Sequence, residues 1–374
     1  MQYTHKKVLD VLVIGAGPSG LGTAIALKEF GVKKVMVVDA STVGASFLSW
    51  PKETRVISPS FTGHQFGLLD LNAITYATSP AFTLGTEHPT GEEYAEYLRT
   101  CVNTFNIDIQ EKTKILSIQK DGDLFICKTT DNDIYAKYIV SAVGEFMFPK
   151  KDHIQGSGFC RHTSSISEYS KMDGSNFIMI GGYESGIDAA IHLSRAGKKV
   201  TVIDAGMPWN LKDSDPSVVI SPFTSDRLHE ELPKGNITLV SNQHVEEVTF
   251  ENGMYTVVTN DSSYSSDSQP LTAFGFSAHN DVTSALFSFT KEELPEITNE
   301  DESTKLQNAF LVGPKVKHGN VIFCFIYKYR ERFGVVADTI AKRLGVDTKD
   351  SIAFYKSKNM YLDDLSCCED VCVC

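Results

Sequence analysis

Apolar residues gather into short runs whose punctuation repeats. Val8–Leu9–Asp10–Val11–Leu12–Val13–Ile14 reads as a strand, and Gly15–Ala16–Gly17–Pro18–Ser19–Gly20 follows at once. Leu21 to Phe30 then predicts a helix capped by Gly31, and the next apolar run, Val35–Val38, ends at Asp39. The same order returns later in the chain. Phe177–Ile180 leads into Gly181–Gly182–Tyr183–Glu184–Ser185–Gly186, a helix to about Ala196 closed by Gly197, and Val200–Ile203 ending at Asp204. Both stretches read as β-α-β units with a glycine-rich turn where strand gives way to helix.

The segments behind each unit correspond as well. After the first come Lys114–Gln119, a turn at Asp121–Gly122, Leu124–Thr129, a turn near Asn132, and Ile134–Val140 running into Ser141–Ala142–Val143–Gly144. After the second come His244–Phe250, the hairpin turn Asn252–Gly253, Tyr255–Thr259, a polar serine-rich loop, and Leu271–Gly275. This pattern predicts an α/β protein with two Rossmann-like dinucleotide-binding domains, each carrying an inserted three-stranded β-meander.

The two turns carry the candidate chemistry. In the first, Gly15 permits the tight turn, Gly17 lets backbone approach a pyrophosphate, and Gly20 allows close helix packing. Pro18 and Ser19 open the helix, whose N-terminus favours an anion, and Asp39 can accept from a ribose hydroxyl. The second turn has Gly181, Gly182, Glu184, Ser185 and Gly186, with Tyr183 where the middle glycine is expected and Gly182 one residue early. Asp204 there suits an unphosphorylated ribose, and no Arg or Lys follows before Lys212, which favours NADH over NADPH. A structural unit whose ligand site has decayed is the alternative for this second copy.

Composition narrows the class. Of 374 residues 42% are hydrophobic, enough for large cores, and 35 Lys and Arg against 47 Asp and Glu give a net charge of −12, which argues against a nucleic-acid partner. No apolar run has the length of a membrane span, and Val8–Ile14 is too short and polar for a signal peptide, so a soluble cytoplasmic protein is expected. Eight cysteines are present: Cys101, Cys127, Cys160 and Cys324 along the body, and Cys367, Cys368, Cys372 and Cys374 at the end. Spread so unevenly in a chain this long, they do not read as a disulfide framework. Cys101, Cys127 and Cys324 lie in apolar surroundings and read as core fillers.

With both fingerprints and meanders in place, the layout resembles the two-dinucleotide-binding-domain flavoproteins, a class containing thioredoxin reductases, flavin-containing monooxygenases and bacillithiol-disulfide-reductase-like proteins. The resemblance implies FAD on the first fingerprint, NADPH or NADH on the second, and reactive rings that face each other. It implies a discontinuous FAD domain, residues 1–146 and 277–374, around a nicotinamide domain at 147–276, with a Cys-rich tail at 363–374. Val43–Pro51 looks like the monooxygenase segment that brings Ser46 and Trp50 to the flavin, and Thr90–Leu98 like the helix before the meander. Ala142 and Gly144 sit in the crossover segment, Ile115 in the first meander strand, and Gly313 in Asn308–Gly313, which resembles the last FAD motif. Pro314 stands where that motif usually has Asp. Lys328, Arg330 and Arg332 follow it and read as a solvated helix face.

Two reactions fit the class. Reductases of this kind need a thiol pair beside the flavin, and neither Cys-x-x-Cys in the nicotinamide domain nor Cys-x4-Cys near the N-terminus occurs here; Ser19 stands where the bacillithiol type has a lone cysteine. Gly158–His162 matches the core of a monooxygenase signature, and His162 is either part of that signature or a polar residue at a hinge. The leading expectation is therefore a monooxygenase-like oxidoreductase acting on a small soft nucleophile. The alternative is thiol, disulfide or soft-metal reduction through Cys367, Cys368, Cys372 and Cys374, which could also chelate a metal without redox work. A small-molecule substrate and no partner beyond a homodimer complete the expectation.

Overall fold

A computed structural model describes residues 7–63, 66–151 and 154–366. They divide into two compact units. One takes the chain up to Leu48, Pro59–Phe148 and Ser277 onward, while the other takes Ser49–Ser58 and Pro149–Phe276.

In the first unit β1 (Val8–Ile14) lies at the centre of a sheet ordered β3 (Ile109–Gln110), β2 (Val35–Val38), β1, β6 (Asp133–Ser141), β5 (Leu124–Lys128), β4 (Ser117–Asp121), with β15 (Ala309–Leu311) also on β6. The run Val11–Leu12–Val13 has no exposure, because a strand covered on both faces has no solvent side on which to alternate. β6 is long enough to serve three partner strands of the one sheet. β1 runs parallel to it from Tyr135 to Ser141, while β5 pairs antiparallel with its start and β15 parallel with its end. Helix α1 (Pro18–Glu29) is buried from Pro18 through Leu27. A Cβ on Gly22 would lie 2.1 Å from the ring of Phe333 on α9 (Phe333–Arg343), so that glycine sets how closely the two helices approach. Thr90 and Glu93 form a reciprocal cap that starts α4 (Gly91–Thr104), whose inner face presents Tyr94, Tyr97, Leu98 and Cys101.

The second unit has a five-stranded parallel sheet ordered β10 (Ile237–Val240), β9 (Lys199–Ile203), β8 (Asn176–Ile180), β14 (Leu271–Thr272), β7 (Arg161–His162). Its apolar side packs on α5 (Glu184–Arg195) through Ile187, Ala190, Ile191 and Leu193. A separate antiparallel sheet holds β11 (Val245–Glu251), β12 (Met254–Thr259) and β13 (Ser263–Ser266). The third meander strand is thus made by the serine-rich segment expected to be a loop, and Leu271–Thr272 joins the parallel sheet instead. Serine has little strand preference of its own. Here pairing decides, since Tyr255 to Val258 face Ser266 to Ser263 and the buried Ser266 hydroxyl donates to Asn176 O at 2.8 Å.

The basic residues behind the last glycine motif also depart from expectation. Arg330 and Arg332 are buried, not solvated. The Arg330 guanidinium donates to the carbonyls of Asp70 and Ala73. Arg332 grips Asp301 through Nε and Nη2, both at 3.0 Å, and His318 Nε2 reaches the same carboxylate at 2.5 Å. A helix face can be cationic and internal when each charge meets an acceptor; removing one member of such a group costs about 3–5 kcal/mol. Among the described residues no helix is long and apolar enough to cross a membrane.

Candidate functional site

Because β1, β6 and β15 run parallel, the residues that leave them emerge at one edge. Gly15 follows β1, Ala142 follows β6 and Gly313 comes just after β15. A Cβ on Gly15, whose φ is +114°, would stand 2.3 Å from Ala142 O, and one on Gly20 would stand 1.9 Å from Gly15 O. One on Gly313 would come within 3.0 Å of Ser19 Oγ. Residues far apart in sequence therefore meet around the start of α1. Gly17 differs from its neighbours: nothing lies within 4 Å of its Cβ position. Gly17 caps α1 with no side chain on the free N–H groups, and the first turn has no acidic residue. Open space, unclaimed donors and a positive helix end fit a pyrophosphate.

Asp39 is aimed back at this loop. Its Oδ2 accepts from Ala16 N and its Oδ1 from Ser41 N, both at 2.8 Å. Burial raises its carboxyl above the ordinary range, opposed by those two N–H donors. Glu111, which sequence reasoning missed, holds the following loop by accepting from Thr42 Oγ1 and Val43 N. Gly44 N then donates to Ala16 O at 3.1 Å, which brings α2 (Ala45–Leu48) and its Ser46 alongside. No local signal marks Glu111, because its partners lie 68 and 69 residues away.

The second loop repeats this skeleton. Gly181 has φ +102° with its Cβ position 2.7 Å from Ala273 O, and the Cβ position of Gly186 is 1.9 Å from Gly181 O. Asp204 Oδ2 accepts from Gly182 N at 2.7 Å and Oδ1 from Gly206 N at 2.8 Å, matching Asp39 bond for bond. Trp209 explains the displaced glycine. A Cβ on Gly182 would lie 2.6 Å from its ring, so a side chain is excluded at 182 and admitted at 183, where Tyr183 caps α5 half-exposed. Glu184 stands in the first turn of α5, yet its carboxylate turns away to accept from Ser221 N, and burial raises its pKa. The N–H groups of Ser185 and Gly186 open the helix beside it, so the loop retains the donor set that suits a second dinucleotide.

Other expected residues occupy varied places. Gly144 has φ +67° and open surroundings; next to it Glu145 pairs at 2.6 Å with Lys315, the residue after Pro314. Ile115 is buried in the chain leading to β4, which starts at Ser117 and not at Lys114. Trp50 belongs to the segment that groups with the second unit. His162 ends β7 beside Thr272 of β14, and Ser164 N donates to its Nδ1 at 3.2 Å, which leaves the ring proton on Nε2. Burial holds its pKa below the ordinary histidine value. Cys101, Cys127, Cys160 and Cys324 are unbridged, and burial pushes the thiols of Cys101 and Cys160 up to about 11 and that of Cys127 up to about 12. The expected redox or metal residues Cys367, Cys368, Cys372 and Cys374 lie outside the described residues, among which no His, Cys, Asp and Glu group is arranged to hold a metal ion.

Comparison with known proteins agrees with this geometry. The family model for pyridine nucleotide-disulphide oxidoreductases matches residues 12–313. An uncharacterized oxidoreductase CzcO of Bacillus velezensis is 28% identical over 197 residues, covering 50% of this chain and 52% of that protein. The chain thus spans about half the length of the first curated relatives it matches. Bacillithiol disulfide reductase Bdr (YpdA) from Staphylococcus aureus superposes with a TM-score of 0.73 at 21% identity, covering 90% of this chain and 99% of that one. A flavin-containing monooxygenase from Stenotrophomonas maltophilia superposes at 0.71 with 16% identity, covering 90% and 99%.

Proposed function

Since the chain belongs to the pyridine nucleotide-disulphide oxidoreductase family, whose members depend on FAD and NAD(P)H, we propose that it is a monooxygenase-like enzyme acting on a small soft nucleophile. In this reading the loop Gly15–Gly20 holds FAD and the loop Gly181–Gly186 holds NAD(P)H. Bound together, the cofactors supply hydride transfer to the flavin and onward oxidation of the reduced ring.

The chain's own residues do the positioning. Gly17 gives the pyrophosphate room, the start of α1 balances its charge, and Asp39 offers its remaining lone pairs to a ribose hydroxyl. Gly144 and Gly313 carry no side chain, and Ala142 only a methyl, at the strand ends beside it. Ser46, Trp50 and Ile115 are assigned to the flavin on the family resemblance, and His162 to the nicotinamide side.

One observation carries the choice of reaction: Ser19, not a thiol, stands in the first loop, and burial holds Cys101, Cys127 and Cys160 protonated far above neutral pH. A dithiol relay needs a thiolate near neutrality, and none of these supplies it. The competing reading is disulfide or soft-metal reduction through Cys367, Cys368, Cys372 and Cys374, favoured by the likeness to bacillithiol disulfide reductase.

Anaerobic reduction by NADH or NADPH, followed by rapid mixing with oxygen plus an amine or sulfide, or with low-molecular-weight disulfides, tests both. Oxygenated product is the expected result. Flavin reoxidation by disulfide alone, lost in a variant ending at Asp364, would instead establish the tail reading.

A further inference from the structure

Within the nicotinamide-binding reading of the second unit, the structure says which dinucleotide is selected. Asp39 and Asp204 are built alike: each follows the second strand of its β-α-β unit, and each gives one carboxylate oxygen to the glycine loop and the other to a backbone N–H two residues on. FAD carries an unphosphorylated adenosine ribose, so the first module shows what this arrangement accepts. The second repeats it with a carboxylate fixed by bonds of 2.7 and 2.8 Å that cannot swing aside without stranding Gly182 N and Gly206 N.

The residues bonded to Asp204 supply no counter-charge. Gly182 N and Gly206 N donate to its carboxylate, Gln243 N donates to its carbonyl and its own N–H donates to Val240 O, and none of these residues is cationic. Trp209, packed on Gly182, covers the same corner with an apolar ring. Three of the module's cations stand at the opposite edge: Arg195 ends α5 and bonds Glu231 at 2.9 Å, Lys198 donates to Met172 O and Gly174 O, and Lys199 begins the strand whose far end leads to Asp204. A 2′-phosphate placed here would meet a fixed negative charge.

We propose that Asp204 is the specificity-determining residue of this module, and that it makes the enzyme take NADH in preference to NADPH. Calorimetric titration of the full-length, FAD-loaded protein with NAD⁺ and with NADP⁺ tests this without reliance on turnover. NADP⁺ is expected to bind about tenfold more weakly or worse, and Asp204→Asn to bring the two within about threefold. Equal or tighter binding of NADP⁺ to the wild type overturns the proposal, as does an unchanged ratio in Asp204→Asn. If neither dinucleotide binds, the nicotinamide reading of the unit falls, and the selectivity with it. Should the variant fail to fold, 5′-ADP against 2′,5′-ADP on the wild type decides the same question, tighter binding of 5′-ADP supporting the proposal and parity overturning it.

Discussion

At the first glycine loop a Cβ on Gly17 would meet nothing within 4 Å, whereas at the second a Cβ on Gly182 would lie 2.6 Å from Trp209. Beneath that difference the two loops are nearly the same object. Both turn on a glycine of positive φ, both leave the Cβ position of the motif's last glycine 1.9 Å from the first one's carbonyl oxygen, and both are clasped by an aspartate. The comparison teaches that the hydrogen-bonded skeleton of such a loop is separable from what stands over it. The first loop keeps its middle position open for backbone to approach a ligand. In the second an aromatic ring has claimed one glycine, and the half-exposed Tyr183 takes the place that remains.

The largest effects should fall on the shared skeleton. Gly20→Ala and Gly186→Ala each force a methyl against a backbone carbonyl, and each is expected to cost its own unit about 3 kcal/mol. Gly20→Ala should also lose FAD on gel filtration; tolerance at one site alone would break the equivalence of the loops. Asp39→Ala comes next, stranding Ala16 N and Ser41 N at a cost of about 2 kcal/mol, read as a lower urea midpoint and weaker FAD retention.

Smaller effects separate the loops. Gly182→Ala is expected to destabilise by about 1–2 kcal/mol and to be rescued by Trp209→Leu, while Gly17→Ala should leave apoprotein stability within about 0.5 kcal/mol and weaken only FAD binding. A thermal-shift cycle on the apoprotein checks both. The smallest effect belongs to Glu184, which has no counterpart in the first loop. Burial raises its folded-state pKa, so the folded chain binds that proton more tightly than the unfolded chain, and the contribution is lost as pH rises through the folded value. Glu184→Gln should flatten that slope in urea midpoints measured across the range just above the ordinary carboxylate pKa. An unchanged slope would assign the pH dependence to other carboxylates.

Thiol chemistry sharpens the functional side of the comparison. Cys101 and Cys127 should resist a disulfide reagent in the native protein at neutral pH, since burial keeps both protonated.

The sequence by itself determined the two β-α-β units, their glycine turns and their terminal aspartates, because these depend on short-range periodicity and on backbone angles that only glycine adopts cheaply. Strand β1 was legible for the same reason, and the helix α4 through the resemblance of Thr90–Leu98 to its family counterpart. Tertiary structure alone decided the rest. The serine-rich segment Ser263–Ser266 became a strand through pairing with β12, and Arg330 and Arg332 went inside because Asp70, Ala73 and Asp301 offered acceptors from distant segments. Glu111 joined the first loop and Trp209 covered the second through contacts that no local pattern announces. Propensity acts over a few residues, whereas a buried charge or a hidden glycine is satisfied by whatever the fold brings to it.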